Sequence, residues 1–233
     1  RPPNLPDAWL GFSLKAKVEE QLGIPTEVIN DGTAVALGEC TRLFPVKAER
    51  DQKSIVVLSG GTGLACGITI NGHAYLGEDG FAGEGGHVTF DPNLLGIKQA
   101  HRLTCCCGAQ GCLEPYVSLS GIKAITERWR RERKIGRSHP FKKQKIRPEE
   151  WAYNALRIAD ELEDKMCRSI FELQAKCMGV AVASLVNLLN PSRLIIGGGI
   201  AETSQAFRDW YIQYLYEGLS LIHISEPTRL RHI

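Results

Sequence analysis

Apolar and polar positions alternate along the chain in a way that predicts strands and helices in turn. A periodic apolar stripe between a capping Ser13 and a terminating Gly23 predicts a helix. The next apolar run, Ile24–Asn30, predicts a short strand that leads into a small-residue helix over Thr33–Leu43. Asp31 lies between them, at the carboxyl end of the predicted strand. Ligands of open α/β sheets collect at such strand ends. Taken alone, this aspartate is better explained as a helix cap than as a catalytic base.

A strand–turn–strand unit follows. The apolar run Ser54–Ser59 predicts a buried strand. After it comes GGTGLACGITINGHAY, which predicts a Gly-Thr-Gly turn, a second strand and a hairpin at Asn71-Gly72. The free N–H groups of the turn, Gly61 to Gly63, suit anionic oxygens, and Thr62 adds a hydroxyl. Such turns often merely join strands, so this motif alone is weak evidence for phosphate binding.

The second half of the chain is predicted to be mainly helical, over Leu113–Ser118, over Ile122–Lys134 and again from about Pro148. Small apolar residues occupy nearly all sides of the segment Gly179–Leu189, which predicts a buried helix. The intervening run Arg128–Arg147 is strongly basic. Its glycine and proline interruptions favour a solvated face and loop over a nucleic-acid surface.

The last unit is a strand that runs into three glycines. Arg193–Glu202, RLIIGGGIAE, predicts a buried strand and a turn, followed by a helix over Thr203–Tyr216. A strand–glycine–helix unit lets a nucleotide lie against bare backbone, so Gly197, Gly198 and Gly199 are candidate nucleotide contacts. The GxGxxG spacing is absent, and a simple tight turn is the alternative.

Thiols are concentrated in one stretch that also contains a histidine. Cys105, Cys107 and Cys112 follow the pattern C-x-C-G-x-x-G-C, whose glycines allow the tight turns of a metal loop. His87 lies upstream as a fourth candidate ligand. Three thiolates and one imidazole make a closed tetrahedral site, so the stretch predicts a structural zinc ion.

The same thiols are also compatible with roles that need no metal ion. Cysteines are often small buried hydrophobes, and disulfides are a further alternative, although Cys105 and Cys107 are too close in sequence for good bridge geometry. Cys106 leaves some ambiguity about which thiols bind. Glu84 and Glu114 flank the loop, so a metal ion would hold two carboxylates beside each other.

Composition narrows the class of protein without identifying it. The 233 residues are 43% hydrophobic and 23% charged with a net charge of +2, so charge gives no argument for nucleic acid. The sequence contains no apolar run of the ~18 residues that a membrane span needs, and the start of the given sequence does not resemble the charged-then-apolar pattern of a signal peptide. The eight cysteines, partly arranged as a metal cluster, predict a reducing cytoplasm.

These motifs together resemble one family. GEGGH followed by C-x-C-G-x-x-G-C-L-E is similar to the signature of the ROK family (repressors, open reading frames and sugar kinases), and INDGTAVALGE is similar to its catalytic segment. The chain departs from the family pattern at four positions. Cys106 replaces a glycine, Gly85 replaces a bulky apolar residue, and Ala65 and Cys66 also stand where glycines are usual.

The resemblance implies an α/β protein of the actin-like ATPase (ribonuclease H-like) fold, with ATP, Mg²⁺ and structural Zn²⁺ as cofactors. It implies that Asp31 is the catalytic base. The implied sugar contacts are Asn30, Asp31, Gly63, Glu84, His87 and Glu114. The implied nucleotide contacts are Gly61, Thr62, Gly63, Gly197, Gly198 and Gly199, and the implied zinc ligands are His87, Cys105, Cys107 and Cys112.

The resemblance also sets expectations for the domains. Residues 1–31 are expected to end an amino-terminal domain, and residues 32–218 to form the carboxyl-terminal domain with a zinc loop over 84–114. The family's Asp-x-Gly-Gly-Thr phosphate element does not occur in this sequence, so we expect this chain alone to be inactive. LSLIHISEPTR is similar to a translated sequencing adapter, so residues 219–233 are expected to be non-native.

The implied activity is an ATP-dependent hexose kinase, with glucose O6 as the first choice of acceptor. The alternatives are a sugar-responsive ROK transcriptional regulator and a kinase of an N-acetylhexosamine (mannosamine or glucosamine). The expected partners are a hexose and ATP, with no membrane. Nucleic acid is expected only if a DNA-binding domain precedes this chain, and the family's common self-association allows a homodimer.

Overall fold

The computed structural model describes residues 11–220, in which four strands form one sheet. The strands are β1 (Ile55–Gly60), β2 (Leu64–Ile70), β3 (His73–Ala74) and β4 (Arg193–Gly198). Their order is β3-β2-β1-β4, with β1 antiparallel to β2 and parallel to β4. The predicted strand, glycine turn and hairpin are therefore confirmed.

Nine α-helices lie in the described part of the chain. They are α1 (Leu14–Leu22), α2 (Asp31–Leu43), α3 (Lys47–Arg50), α4 (Glu114–Val117), α5 (Leu119–Arg131), α6 (Pro140–Lys143), α7 (Trp151–Glu161), α8 (Lys165–Leu189) and α9 (Gln205–Ser220). Single turns of 3-10 helix cover Gly85–His87, Pro92–Leu95, Gln99–His101, Pro148–Glu150 and Gly199–Glu202.

Both faces of the sheet are covered, because β1 alternates its apolar side chains between two clusters. Ile55 and Val57 pack with Ile195 against α2 on one face. Val56 and Leu58 belong to a larger cluster on the other face, built mainly by α4, α5, α7, α8 and α9. This period of two is the expected signature of a strand buried on both sides.

The start of α2 lies against the backbone of β2. A Cβ added to Gly67 would lie 2.0 Å from the carbonyl oxygen of Gly32, and one added to Gly32 would lie 2.6 Å from the carbonyl oxygen of Cys66. Only glycine permits this approach. It brings the amino terminus of α2, and with it Asp31, to the edge of the sheet beside the Gly-Thr-Gly turn.

The helix α8 is the central helix of the larger cluster. Among the described residues it is the one helix long and apolar enough to cross a membrane, but 67% of its most apolar window is buried inside the protein. It packs against α9 at Gly179 and Gly218, where added Cβ atoms would lie 2.2 Å from the carbonyl oxygens of Leu215 and Lys176. The predicted burial of Gly179–Leu189 is confirmed for residues 179–183 and Leu185, as expected of a core helix, but it is wrong for the end of the segment, where Leu188 is 81% exposed.

The basic run is a solvated surface with buried aromatic residues. Trp129 and Phe141 are 6% and 0% exposed, and Phe141 stacks on Trp151 at 5.1 Å. Two of its arginines form ion pairs within the surface, Arg130 with Glu127 and Arg147 with Glu150. The aromatic rings are thus unable to stack on bases.

The predicted strand over Ile24–Asn30 is wrong. The segment is irregular, because it has no strand partner among residues 11–220, and its apolar Ile24 and Val28 are 55% and 51% exposed. The final helix begins at Gln205 instead of Thr203, after a 3-10 turn.

The domain boundaries stay predictions. Leu219, the first residue of the segment expected to be non-native, is buried in α9, and residues 221–233 lie outside the described part of the chain.

Candidate active site

A cleft of about 830 Å³ opens between the start of α2, the turn joining β1 to β2, and the cysteine-containing loop over 84–114, hereafter the cysteine loop. The predicted sugar-contacting residues line it together. They are Asn30, Asp31, Gly63, Glu84, His87 and Glu114. Residues distant in sequence thus meet in one cavity, as an active site requires.

Asn30 and Asp31 lie at the start of α2. The Asn30 Oδ1 accepts hydrogen bonds from the backbone N–H of Gly32 at 2.8 Å and of Thr33 at 3.4 Å, so Asn30, not Asp31, is the N-cap. Its amide N–H groups remain available to a ligand. The Asp31 Oδ1 accepts from the same Gly32 N–H at 2.8 Å, and its Oδ2 has no partner among the described residues.

Glu114 joins the cysteine loop to the turn that was predicted to bind phosphate, Gly61 to Gly63 (hereafter the phosphate turn). Its Oε2 accepts from the backbone N–H of Leu64 at 3.3 Å, and its Oε1 accepts from the Cys106 thiol at 3.4 Å. A Cβ on Gly63 would lie 2.8 Å from Glu114 Oε2. The glycine in the turn is therefore what allows the carboxylate to reach the turn.

The predicted metal ligands have the spacing of a tetrahedral site. The ligand atoms of His87, Cys105, Cys107 and Cys112 all lie within 4.8 Å of one another. The Cys107 and Cys112 sulfurs are 3.7 Å apart, and His87 Nδ1 is 3.4 Å from the Cys105 sulfur. Zinc bond lengths of about 2.3 Å to sulfur and 2.0–2.1 Å to nitrogen predict separations of about 3.8 and 3.5 Å. The four residues therefore fit the ion.

The remaining thiols and the second nitrogen of His87 leave these four atoms free to bind one ion. All eight cysteines are free, so the structure contains no disulfide among them. Cys106 instead lines the cleft. His87 Nε2 lies 4.0 Å from Glu84 Oε2, whereas Nδ1 faces the Cys105 sulfur. Burial, followed by the neighbouring Cys107 and Cys105 thiols, raises the pKa of Cys112 to about 12, so a metal ion must displace its proton at neutral pH.

A second cluster, formed by His139, Asp164 and Cys167, does not fit a metal ion. The His139 Nδ1 accepts from the backbone N–H of Phe141 at 3.1 Å, which places the ring proton on Nε2. That Nε2 lies 3.3 Å from the Asp164 carboxylate. Neither nitrogen has a lone pair to offer, and Asp164 also caps α8 through the Cys167 N–H at 2.9 Å. The cluster is structural.

A second cavity of about 330 Å³ adjoins the cleft at the phosphate turn, because Gly61 and Thr62 line both. The parallel pairing of β1 with β4 sets Gly60 opposite Gly198, so the two glycine turns lie side by side. Gly198 has φ +88°, and its added Cβ would lie 2.0 Å from the carbonyl oxygen of Gly60, so only glycine fits there. Gly197 and Gly199 line the cavity.

This second cavity is mostly apolar, with a few polar groups among its lining residues. Its apolar walls include Leu119 and Ile122 from α5, Leu156 from α7 and Ile200 from the turn. Two buried polar atoms of its lining residues, Gln174 Oε1 and Tyr211 OH, have no hydrogen-bond partner within the part of the chain that the structure describes. Buried polar atoms normally have partners, so a ligand with a polar edge fits this cavity.

Sequence patterns did not indicate several of the lining residues. Gln174 and Tyr211 come from different helices, and no local motif marks them. Ser59, Thr104 and Ser120 also line the cleft without a signal in the sequence. Cys66 also lines the cleft, and the sequence does carry a signal for it, because it stands where the resembled family has glycine.

The sheet with helices on both faces is that of the actin-like ATPase fold, as in the ROK structures to which the chain is similar. The chain belongs to the ROK family, whose model matches residues 1–228.

Three relatives illustrate the similarity. A glucokinase of Halalkalibacterium halodurans is 30% identical over 96% of this chain and 63% of that protein. A xylose repressor of Bacillus subtilis is 28% identical over 84% of this chain and 43% of that protein. The crystal structure of a ROK family glucokinase from Streptomyces griseus, in complex with glucose and AMPPNP, has a TM-score of 0.71 and 24% identity, covering 94% of this chain and 66% of that one. The chain thus spans less than two thirds of the curated relatives' length.

Proposed function

We propose that this chain belongs to an ATP-dependent hexose kinase, which transfers the γ-phosphoryl group of ATP to a sugar hydroxyl, with glucose O6 as the first choice. The observation that carries the proposal is the placement of the Asp31 carboxylate. It faces the same cleft as the phosphate turn and the residues Glu84, His87 and Glu114. A base, a phosphate-binding turn and a polar sugar site in one cavity suit phosphoryl transfer to an alcohol.

Each residue has a distinct role in this scheme. Asp31 accepts the proton of the attacking hydroxyl as the oxygen bonds to phosphorus and the bond from phosphorus to ADP breaks. Backbone N–H groups of Gly61 to Gly63 and the Thr62 hydroxyl hold the phosphate oxygens. Asn30, Glu84, His87 and Glu114 orient the sugar by hydrogen bonds to its other hydroxyls. Bound Mg²⁺ would neutralise charge on the phosphates.

The cysteine loop supplies the structural part of the site. The donor set His87, Cys105, Cys107 and Cys112 suits Zn²⁺, which prefers nitrogen and sulfur ligands and in a closed site leaves no position for substrate. With Nδ1 on the metal, His87 Nε2 is the nitrogen available to a sugar. The ion therefore fixes the tautomer of the residue that orients the substrate.

Two further observations support a kinase. The second cavity, beside Gly197 and Gly199, offers space for a nucleotide, and a glucokinase is among the relatives. Glucose is preferred because GCLE-PY is similar to the glucokinase form of the motif. An N-acetylated hexosamine is the second choice.

A ROK transcriptional regulator is the other candidate function, favoured by the similarity to a xylose repressor. Such a protein would bind the sugar as a signal, and a helix-turn-helix ahead of this chain would distinguish it. The Asn30-Asp31 pair and the Gly-Thr-Gly turn favour the kinase.

The test is the substitution Asp31→Asn in the protein as expressed from its own gene. Asparagine keeps the shape and hydrogen bonds of the side chain but accepts no proton, so we expect kcat to fall by about 10²–10⁴-fold. Hexose affinity measured by calorimetry should change by less than about threefold.

Asp79→Asn is the matched control, because Asp79 is exposed and outside the cleft, and it should leave both quantities unchanged. Kinase activity that survives in Asp31→Asn would exclude Asp31 as the base. Hexose binding with no turnover in the unaltered protein would favour the regulator.

A further inference from the structure

A third cavity, of about 230 Å³, lies behind the cysteine loop. The loop residues 95–98, 101 and 103 form one side, and Tyr116 of α4, Arg128 of α5 and Leu173 of α8 form the other. Leu103 lines both this cavity and the cleft that contains Asp31, so the two are neighbours. Nothing in the proposed kinase reaction uses this space.

The cavity combines apolar side chains with three nitrogen-bearing ones, and no lining carboxylate neutralises them. The three are Lys98, His101 and Arg128. Among residues 11–220, none of these three side chains has a hydrogen bond or ion pair. Glu132 is the acidic group that interacts electrostatically with two of them, Arg128 and His101. It forms its own ion pair with Lys134, at 2.7 Å. The hydrogen bond and charge of Lys134, with smaller contributions from Arg128 and His101, hold the pKa of Glu132 below its usual range.

Two hydrogen-bond donors of the lining residues have no acceptor among residues 11–220. The Arg128 Nε is buried without a partner there, although a buried guanidinium N–H normally has one. The Tyr116 hydroxyl accepts from the backbone N–H of Leu103 at 3.1 Å, which leaves its own proton free to donate. A guanidinium fork beside a phenol, an ammonium and an imidazole is a set of donors suited to a compact anion.

We propose that this cavity binds a phosphate dianion, either inorganic phosphate or the phosphate group of a monoester. A guanidinium fork matches the tetrahedral oxygens of phosphate, and the cavity is several times the roughly 30 Å³ that one water occupies in the liquid. Tyr116 follows Glu114 by two residues in the four-residue helix α4. The cavity therefore lies beside the helix that carries Glu114.

The test is a calorimetric titration with inorganic phosphate at low ionic strength, in the presence of saturating AMPPNP to block the phosphate turn. Arg128→Gln should weaken phosphate binding at least about tenfold, because it removes the charge and the fork. Lys98→Gln, on the exposed loop, should weaken it about threefold. Arg131→Gln is the control, since it removes the same charge from the exposed end of the same helix and should have no effect.

The outcomes separate the proposals. If the unaltered protein binds no phosphate more tightly than about 10 mM, or if Arg128→Gln and Arg131→Gln bind it equally, the site does not exist. A parallel titration with a hexose phosphate identifies the source, because only a ligand that occupies this cavity loses affinity in Arg128→Gln. Failure of AMPPNP to bind would count against the kinase and leave the Arg128 comparison intact.

Discussion

At the scale of single residues, two departures from the family pattern compensate each other. A Cβ added to Gly85 would lie 2.8 Å from the Cys66 sulfur and 2.9 Å from its Cβ. The family has a small residue at the first position, 66, and a bulky apolar one at the second, 85. In this chain the Cys66 side chain, 4% exposed, fills the space beside Gly85. Burial raises the pKa of this thiol to about 11, so it stays neutral and behaves as an apolar group.

This contact predicts a coupled pair of substitutions. Gly85→Leu alone overfills the space and should lower the free energy of unfolding by about 1–3 kcal/mol. Cys66→Gly alone leaves a void and should also destabilise the protein. The double variant should be more stable than the sum of the two changes predicts by at least about 1 kcal/mol, as measured by urea unfolding.

Gly136→Leu serves as a control for that cycle, because nothing lies within 4 Å of its added Cβ. Combined with Cys66→Gly, it should give simple additivity. Additivity of the Gly85 pair as well would mean that the two departures are unrelated.

How far single residues were predictable depends on whether their partners are local in sequence. Cys105, Cys107 and Cys112 lie within eight residues together with Gly108 and Gly111, so their spacing alone predicted a metal site. Gln174 and Tyr211 line the same cavity only because α8 packs against α9. No local sequence pattern contains that information. The contact of Cys66 with Gly85 depends on the fold in the same way.

At the scale of elements, the cysteine loop contains little regular structure. Between His87 and Glu114 the chain forms two short 3-10 turns and two isolated bridges, Thr89 with Cys112 and Thr104 with Gln110. Such a segment has few backbone hydrogen bonds to fix its shape. A bound ion would tie its two ends together and so hold Glu84 near Glu114.

Removal of one thiol tests this role. Cys112→Ser should abolish stoichiometric zinc, as measured by elemental analysis, and weaken hexose binding about 10- to 100-fold, because Glu84 and Glu114 are no longer held together. Cys106→Ser is the matched control in the same loop, because its sulfur is not one of the four donors and serine can still donate to Glu114. Wild-type metal content and sugar affinity in Cys112→Ser would contradict the role.

Helices and strands were predictable from the sequence where their burial in the core produces a pattern of apolar residues. The strand β1 and the helix α8 lie in the core, and their apolar runs indicated them correctly. Ile24–Asn30 has the apolar content of a strand, but a strand also requires a neighbour for its N–H and C=O groups. That requirement concerns the whole sheet, and the segment alone cannot reveal it.

At the scale of the whole molecule, the phosphate turn is the boundary between two cavities. Gly61 and Thr62 line both the cleft that contains Asp31 and the cavity beside Gly197 and Gly199. A nucleotide in the second cavity would extend its phosphates across the turn toward a sugar in the first. This arrangement predicts separate binding sites for hexose and nucleotide, each of which stabilises the folded state.

Thermal unfolding with each ligand separates the candidate functions. A ligand at about 100 times its dissociation constant adds about 2.7 kcal/mol of stability, which is on the order of 5–10 °C in Tm for a protein of this size. A kinase should show such a shift with glucose alone and with AMPPNP alone, whereas a regulator should respond to the sugar only. L-glucose is the control, because it has the same atoms in mirror-image arrangement. If neither ligand raised Tm, the remaining candidate would be a zinc-stabilised domain that has no catalytic activity.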